Sequence, residues 1–433
     1  MTSRLQLFTS SSPCSLRAPS FALALALALI TVIMQPAQAQ SFVPLHPFTG
    51  GQDGGIPYAG VSIDRAGNLY GTTYEGGSSG RGTVFKMVHK NGGWLFTPLY
   101  SFAGGNDGSG PQARVIVGPN GTLYGTTAGG GGTGCGGNGC GTVFNVRPAS
   151  HASGSILAPW SETVLYSFAG GTDGETPAPG DLVFDQAGNI YGTTYYGGGS
   201  TGCNGFGCGT VFKLTLSSGG QWTESILYSF TAGNGGSSPM GVIFDGAGNL
   251  YGTTSGGGTY NCGTVFQLTP NGSGWAENVL YSFNPNIGDG CTPLAGLIFD
   301  GSGNLYGTNY TAGYQGGGTA FELTPDGQGV WTETVLNAFT SGVGDGGLQG
   351  ALTLDAAGNL YGTTYGGGLG LGAAFELIPS GGYWTYTSLH DFINYDDGEF
   401  PIGNVILDAY GNAYGTASQG GENEYGVVWE ITR

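Results

Sequence analysis

Apolar residues in this chain fall in short runs of five to nine, bounded by clusters of Gly, Asn, Asp and Pro. The runs are rich in Val, Ile, Phe, Tyr and Thr, and beyond residue 40 no stretch keeps a helical period; the pattern predicts strands throughout. Four kinds of run recur in fixed order. An apolar strand usually ending in Asp comes first: VSID (61–64), LVFD (182–185), VIFD (242–245), LIFD (297–300) and VILD (405–408). A Gly-Asn-Leu-Tyr-Gly-Thr-Thr phrase follows, its tyrosine recurring at Tyr70, Tyr124, Tyr191, Tyr251, Tyr306, Tyr361 and Tyr414, at intervals of 54, 67, 60, 55, 55 and 53. Then come GTVFKL or a relative (82–87, 141–146, 209–214, 263–268, ending with GVVWEI at 426–431) and a Trp-led segment such as WTESILYSF (222–230). Turn chemistry separates them: in Asp300-Gly301-Ser302-Gly303-Asn304 the Asp can bond the turn backbone while Gly303 takes a positive φ, and Pro325-Asp326-Gly327 turns the third strand into the fourth.

Each repeat therefore reads as a four-stranded antiparallel meander, and seven such units predict an all-β, seven-bladed β-propeller. The phase of the repeat tests this. Counted from Val61, the last unit has only its first three strands (403–431), while residues 42–48 resemble the missing outer strand and are followed by the same GGxDGxxP loop, Gly50–Pro57. The N-terminal strand 42–48 is thus expected to complete the last blade, closing the ring and removing an open sheet edge; a monomer is expected. A linear β-solenoid is the competing fold, but it would not need complementary ends and would want capping repeats.

The phrase Asp-x-x-Gly-Asn-Leu-Tyr-Gly-Thr-Thr followed by Gly-Thr-Val-Phe-Lys-Leu-Thr-Pro resembles the Gloeo-Verruco (GloVer) tandem repeat family of exported bacterial proteins, over essentially all of residues 41–433. More loosely, it resembles NHL-type propellers. Two departures stand out: Gly118 replaces the Asp in blade 2, and Gly415-Thr416-Ala417 replaces Gly-Thr-Thr in blade 7. The resemblance implies fold and export, and no activity.

The first 39 residues stand apart. Arg4 and Arg17 lie in a Ser-rich segment, residues 21–34 are apolar, and Ala37-Gln38-Ala39 offers a signal-peptidase site. Fourteen apolar residues are short of the roughly 20 a membrane helix needs. The expected organisation is a signal peptide (1–39) and one propeller domain (40–433), secreted to the extracellular space or periplasm after cleavage near Ala39, with no membrane span in the mature chain.

Export leaves 8 basic and 28 acidic residues, which argues against nucleic acid and anionic membranes as partners. Gly and Pro make up 111 of 433 residues, yet aromatics at 12% give too much apolar surface for a disordered chain. The six cysteines beyond residue 39 predict disulfides. Cys135 and Cys140, and Cys203 and Cys208, each close a C-x4-C loop between the second and third strands of adjacent blades. Cys262 and Cys291 lie in loops that open on one propeller face and are expected to pair. Zinc is the competing reading, opposed by the lack of nearby His.

No catalytic residue can be nominated. The four His are scattered: His46 and His390 at equivalent outer-strand positions, His89 and His151 in expected turns, and no nucleophile or metalloprotease motif appears. Trp94, Trp160, Trp222, Trp275, Trp331 and Trp384 begin outer strands, where blade-to-blade packing is expected of them more than sugar stacking. One polar set repeats. The GGxDGxxP loop places Asp53, Asp107, Asp173, Asp289, Asp345 and Asp397 at one position per blade, with Asn234 at or beside the seventh. These side chains are candidates to ring the channel mouth, where they would hold Ca²⁺ or bond sugar hydroxyls; alternatively, Asp-Gly simply makes the turn. Two functional classes follow: a non-enzymatic exported binding module for an unknown extracellular ligand, carbohydrate or protein, or a propeller lyase or hydrolase with a cation at the channel mouth.

Overall fold

The computed structural model describes residues 40–433 except 149–159, 273, 342–345, 368–369 and 394. The expected signal peptide, His151 and Asp345 lie outside the described residues. Seven four-stranded antiparallel sheets form the blades of a propeller, six of them running from the channel outward in chain order. Blade 1, for instance, comprises Ser62–Ile63, Leu69–Thr73, Thr83–Lys90 and Gly93–Ser101.

Blade 7 is closed as the phase required. Its strands Ile406–Leu407, Ala413–Ala417 and Val427–Thr432 are joined by Ser41–Pro47, which pairs antiparallel with the third strand in a register running from Ser41 opposite Thr432 to Pro47 opposite Val427. The innermost strands are shorter than the apolar runs suggested. Six of the seven keep only two paired residues, and only blade 4 extends the strand, over Ser237–Phe244. Ahead of these pairs the entering chain is bonded on both sides, as where the Ile56 amide donates to Tyr425 O of the preceding blade and Ile56 O accepts from the Tyr74 amide of its own.

The repeated phrases now have physical roles. The aspartate of the first hairpin organises it: Asp64 Oδ1 accepts from the Ala66 and Asn68 amides, and Oδ2 accepts from Asn68 Nδ2 and Tyr70 Oη. The same pattern recurs at Asp185, Asp245, Asp300, Asp355 and Asp408. Burial alone would raise the Asp64 pKa, but these hydrogen bonds to the charged form outweigh it and hold the carboxyl below its usual range. In blade 2, where Gly118 replaces the aspartate, Tyr124 lies so close that a Cβ there would fall 2.5 Å from its ring. The Gly of Gly-Thr-Thr likewise makes room for a ring: a Cβ on Gly71 would lie 2.4 Å from Phe85. The first Thr reaches across to the next blade, as in Thr72 Oγ1 to Ala113 O (3.1 Å) and Thr416 Oγ1 to Ala59 O (2.9 Å). The second pairs within its blade, Thr73 with Thr83 (2.9 Å). In blade 7 both partners of that pair are replaced together, by Ala417 and Val427, so no buried hydroxyl is left without a partner.

The core lies between blades. Phe85, Phe144, Phe212, Phe266, Phe321, Phe375 and Trp429, at one position of each third strand, are fully buried. Each meets a buried Phe from the outer strand of the preceding blade, from Phe102 against Phe144 (5.0 Å between centroids) round to Phe48 against Phe85 (5.4 Å). Edge-on aromatic pairs of this kind add about 0.5–1.5 kcal/mol beyond the area they bury. The outer-strand Trp side chains serve the same junctions, with Trp94 on Tyr414, Trp160 on Tyr70, Trp331 on Tyr251 and Trp384 on Tyr306. His89 is not in a turn; it lies next to the last residue of the third strand of blade 1, edge-on to Trp94.

Candidate functional site at the channel mouth

The loop aspartates turn back toward the outer strands that precede them. Asp107 Oδ2 accepts from Tyr100 Oη (3.0 Å) and the Ala103 amide (2.7 Å), and Oδ1 accepts from the Gly108 amide (2.7 Å). Asp173 repeats this with Tyr166, Ala169 and Gly174, and Asp289 with Tyr281 and Asn284. Asp53 and Asp397 sit beside His46 Nε2 (3.1 Å) and His390 Nε2 (3.0 Å). These five carboxylates are therefore engaged at the ends of outer strands, and a different set of side chains lines the channel mouth. Among the described residues no group of three or more His, Cys, Asp or Glu is arranged to hold a metal ion.

The same positions organise the blade junctions. In blades 2, 3, 4 and 5 the outer strand carries a half-buried glutamate two residues after its Trp, Glu162, Glu224, Glu277 and Glu333, each with its Oε1 fully buried. Burial, and then the charges of Asp107 and Asp173, push Glu162 and Glu224 up to about 7. Burial and Asp289 push Glu333 to about 8. At the two junctions flanking the closure blade, stacked rings take the place of the acid: His390 on Phe42 (3.7 Å) and His46 on Phe96 (3.9 Å).

All three expected disulfides are present, on the face carrying the second-to-third-strand loops. Cys135–Cys140 and Cys203–Cys208 each pin a glycine-rich loop, with Cα atoms 5.3 and 5.4 Å apart. Cys262–Cys291 ties such a loop of blade 4 to the loop entering blade 5.

The channel opens on this face. Its throat is a cavity of 480 Å³ walled by inner-strand aliphatics such as Ile116, Val183, Ile243, Ile298 and Ile406. Above them Arg114 and Asp181, from blades 2 and 3, form a bidentate pair in which Nε lies 3.1 Å from Oδ2 and the terminal guanidinium nitrogen also donates to Oδ2. Their side chains are 18% and 24% exposed, so the pair reaches the channel but is largely sheltered. Asn404 stands at the same level and accepts from the Ala351 amide (2.6 Å). Over this level a second cavity of 320 Å³ is lined by Tyr58, Gln112, Tyr195, Met240, Leu294, Gln349 and Ile402 among others. Tyr58 packs edge-on against Tyr74 at 5.1 Å.

Sequence reasoning named none of these mouth residues. Most follow the loop proline of their blade directly, in a segment where the flanks repeat and this position changes round the ring from Tyr to Gln, Ala, Met, Leu, Gln and Ile. Variation inside an otherwise repeated segment was the available signal.

The sequence pattern of the Gloeobacter/Verrucomicrobia repeat matches residues 31–206 and again 200–429. A search of curated protein sequences gives no match. Among solved structures, the chain is similar to the extracellular domain of a one-component system from B. thetaiotaomicron (TM-score 0.52, 10% identity, 90% of this chain and 40% of that one). It is also similar to a protein from Lactobacillus plantarum (TM-score 0.52, 14% identity, 84% and 99%) and to a fungal alcohol oxidase of the AA5 family in complex with copper (TM-score 0.50, 13% identity, 91% and 76%). The chain spans well under half the length of the first of these. At such identities the likeness is one of fold.

Proposed function

For this chain, which belongs to the Gloeobacter/Verrucomicrobia repeat family, we propose a role as an exported, non-enzymatic binding module that takes a carbohydrate at the channel mouth. The observation that carries the reading is the mouth itself: half-buried tyrosine faces and two primary amides, Gln112 and Gln349, converge on a cavity with no charged side chain in its lining. Amides donate and accept, as sugar hydroxyls do, and aromatic rings cover the apolar faces of pyranose rings. The Arg114–Asp181 ion pair in the channel is self-satisfied, so the described lining has no net charge to attract an ionic ligand. In a chain of net charge −18 this local neutrality is a property of the place and not of the composition.

Export belongs to the same reading. Residues 1–39 act as a signal peptide cut near Ala39, and three disulfides suit an oxidising compartment.

A glycan-binding screen of the mature protein tests the proposal. Binding to neutral glycans that falls at least tenfold in a Gln112→Ala, Gln349→Ala double variant of unchanged melting temperature supports it. Absence of binding, or binding indifferent to both substitutions, would remove the carbohydrate reading.

A further inference from the structure

The mouth cavity does not end at the ring of residues that follow the loop prolines. Gln112 and Thr176, which line it, also line a second depression of 640 Å³ over blades 1 and 2. Tyr74 stands where the two meet, edge-on to Tyr58 of the mouth. Glu75 and Arg81, from the second-to-third-strand loop of blade 1, form one side. The other side is the disulfide-pinned loop of blade 2, with Cys135 and Asn138, together with Glu175 from the loop entering blade 3. Much of the lining is glycine, including Gly104, Gly105, Gly110 and Gly129, which leaves the floor open between the polar side chains.

Three features of this depression point to a chain-like sugar. It is continuous with the mouth, so a ligand seated at the axis can run outward without leaving the protein. Its side chains mix donors and acceptors: Arg81 donates, Glu75 and Glu175 accept, and Asn138 does both. Hydroxyls match such a mixture, whereas a polyanion would meet the two glutamates and a polycation would meet Arg81. Finally, Arg81 is exposed and has no ion-pair partner among the described residues, although acids outnumber bases 28 to 10 in this chain. Its guanidinium is free to serve a ligand.

We infer that the channel mouth and the depression over blades 1 and 2 form one extended cleft for a linear, neutral oligosaccharide. The inference rests on the carbohydrate reading of the mouth and extends it to the form of the ligand. The Cys135–Cys140 bridge then has a binding role, because it holds one wall of the cleft in place before the ligand arrives.

Calorimetric titration with ladders of β-1,4-linked glucose, xylose and mannose, from disaccharide to hexasaccharide, tests it. For a ladder that binds, the hexasaccharide is expected to bind about tenfold more tightly than the disaccharide, or about 1.4 kcal/mol. Arg81→Ala should bring the hexasaccharide close to the disaccharide's affinity without changing the melting temperature. A disaccharide that binds as tightly as the hexasaccharide, or an Arg81→Ala variant that keeps the full length dependence, overturns the extended cleft and leaves the mouth site standing. No binding by any ladder overturns both.

Discussion

Tyr228 donates a 2.7 Å hydrogen bond to Glu277 across the junction of blades 3 and 4, in the blade whose loop carries Asn234 where others carry aspartate. In blades 1, 2 and 4 the equivalent tyrosines, Tyr100, Tyr166 and Tyr281, donate to their own loop aspartate, and the glutamate of the next blade faces that pair. One loop substitution thus redirects a tyrosine proton from a bond within a blade to a bond between blades.

Tyr228→Phe should therefore cost more than a surface hydroxyl would. It leaves both oxygens of the half-buried Glu277 carboxyl without a partner among the described residues, since the buried Oε1 already has none. A loss of about 1–3 kcal/mol is expected in denaturant unfolding. A change below a few tenths would show that solvent reaches Glu277 freely.

The glutamates also predict a pH dependence. Their folded-state pKa values, about 7 for Glu162 and Glu224 and about 8 for Glu333, lie above the usual 4.5. Groups raised in the folded state stabilise fully below the unfolded value and lose that contribution as pH rises through the folded one. Melting temperature should accordingly fall between about pH 5 and 8, and a Glu162→Gln, Glu224→Gln, Glu333→Gln variant should flatten that fall. Burial lowers His46 and His390 despite their aspartate partners, so their contribution has the opposite sign: present above 6.5 and lost below it.

Calcium should leave the melting temperature unchanged. The described loop carboxylates already accept hydrogen bonds or stand against a histidine, and an ion would have to displace those partners. A rise of several degrees with added calcium, reversed by a chelator, would give the loops the cation role that the sequence allowed them.

The disulfides should differ in worth. Cys262–Cys291 spans 29 residues and the other two span 5 each. On loop-closure entropy the long bridge stabilises by about 1.5 kcal/mol more than either short one. Chemical unfolding of the three paired Cys→Ala variants measures this.

Deleting residues 41–48 should strongly destabilise the protein, because the deletion strips the outer strand from blade 7 and takes away Phe42 and His46, which stack on His390 and Phe96. A deletion variant that melts like the parent would refute the closure.

The ring was legible because its signals are local and repeated: Asp64, Tyr70 and Gly71 each do a job that only a few residue types can do, seven times over or nearly so. Closure was legible because residues 42–48 are a fragment of the same pattern. The disulfides followed from loop position. The channel mouth was not legible, because its equivalent positions, Tyr58, Gln112, Met240 and Leu294 among them, share a place but no common chemistry. The loop aspartates repeat so regularly that they drew attention to a ring, yet whether a carboxylate faces the axis or its own strand depends on backbone direction. Tyr100 and His46, seven residues before Asp107 and Asp53, are the partners that decide it.

Blade 7 also sets the order in which this protein can be made. Ser41 and Thr432, which bond to each other at 2.6 Å, are 391 residues apart. The entropic cost of so long a closure grows slowly, about 0.6 kcal/mol for each doubling of length, and stability tolerates it. Time is the scarcer quantity, since pairings so distant in sequence form late. Until the last strand is synthesised, the first strand of the propeller has no partner and the ring keeps an open edge. A chain interrupted anywhere in the later blades would present that edge to its neighbours.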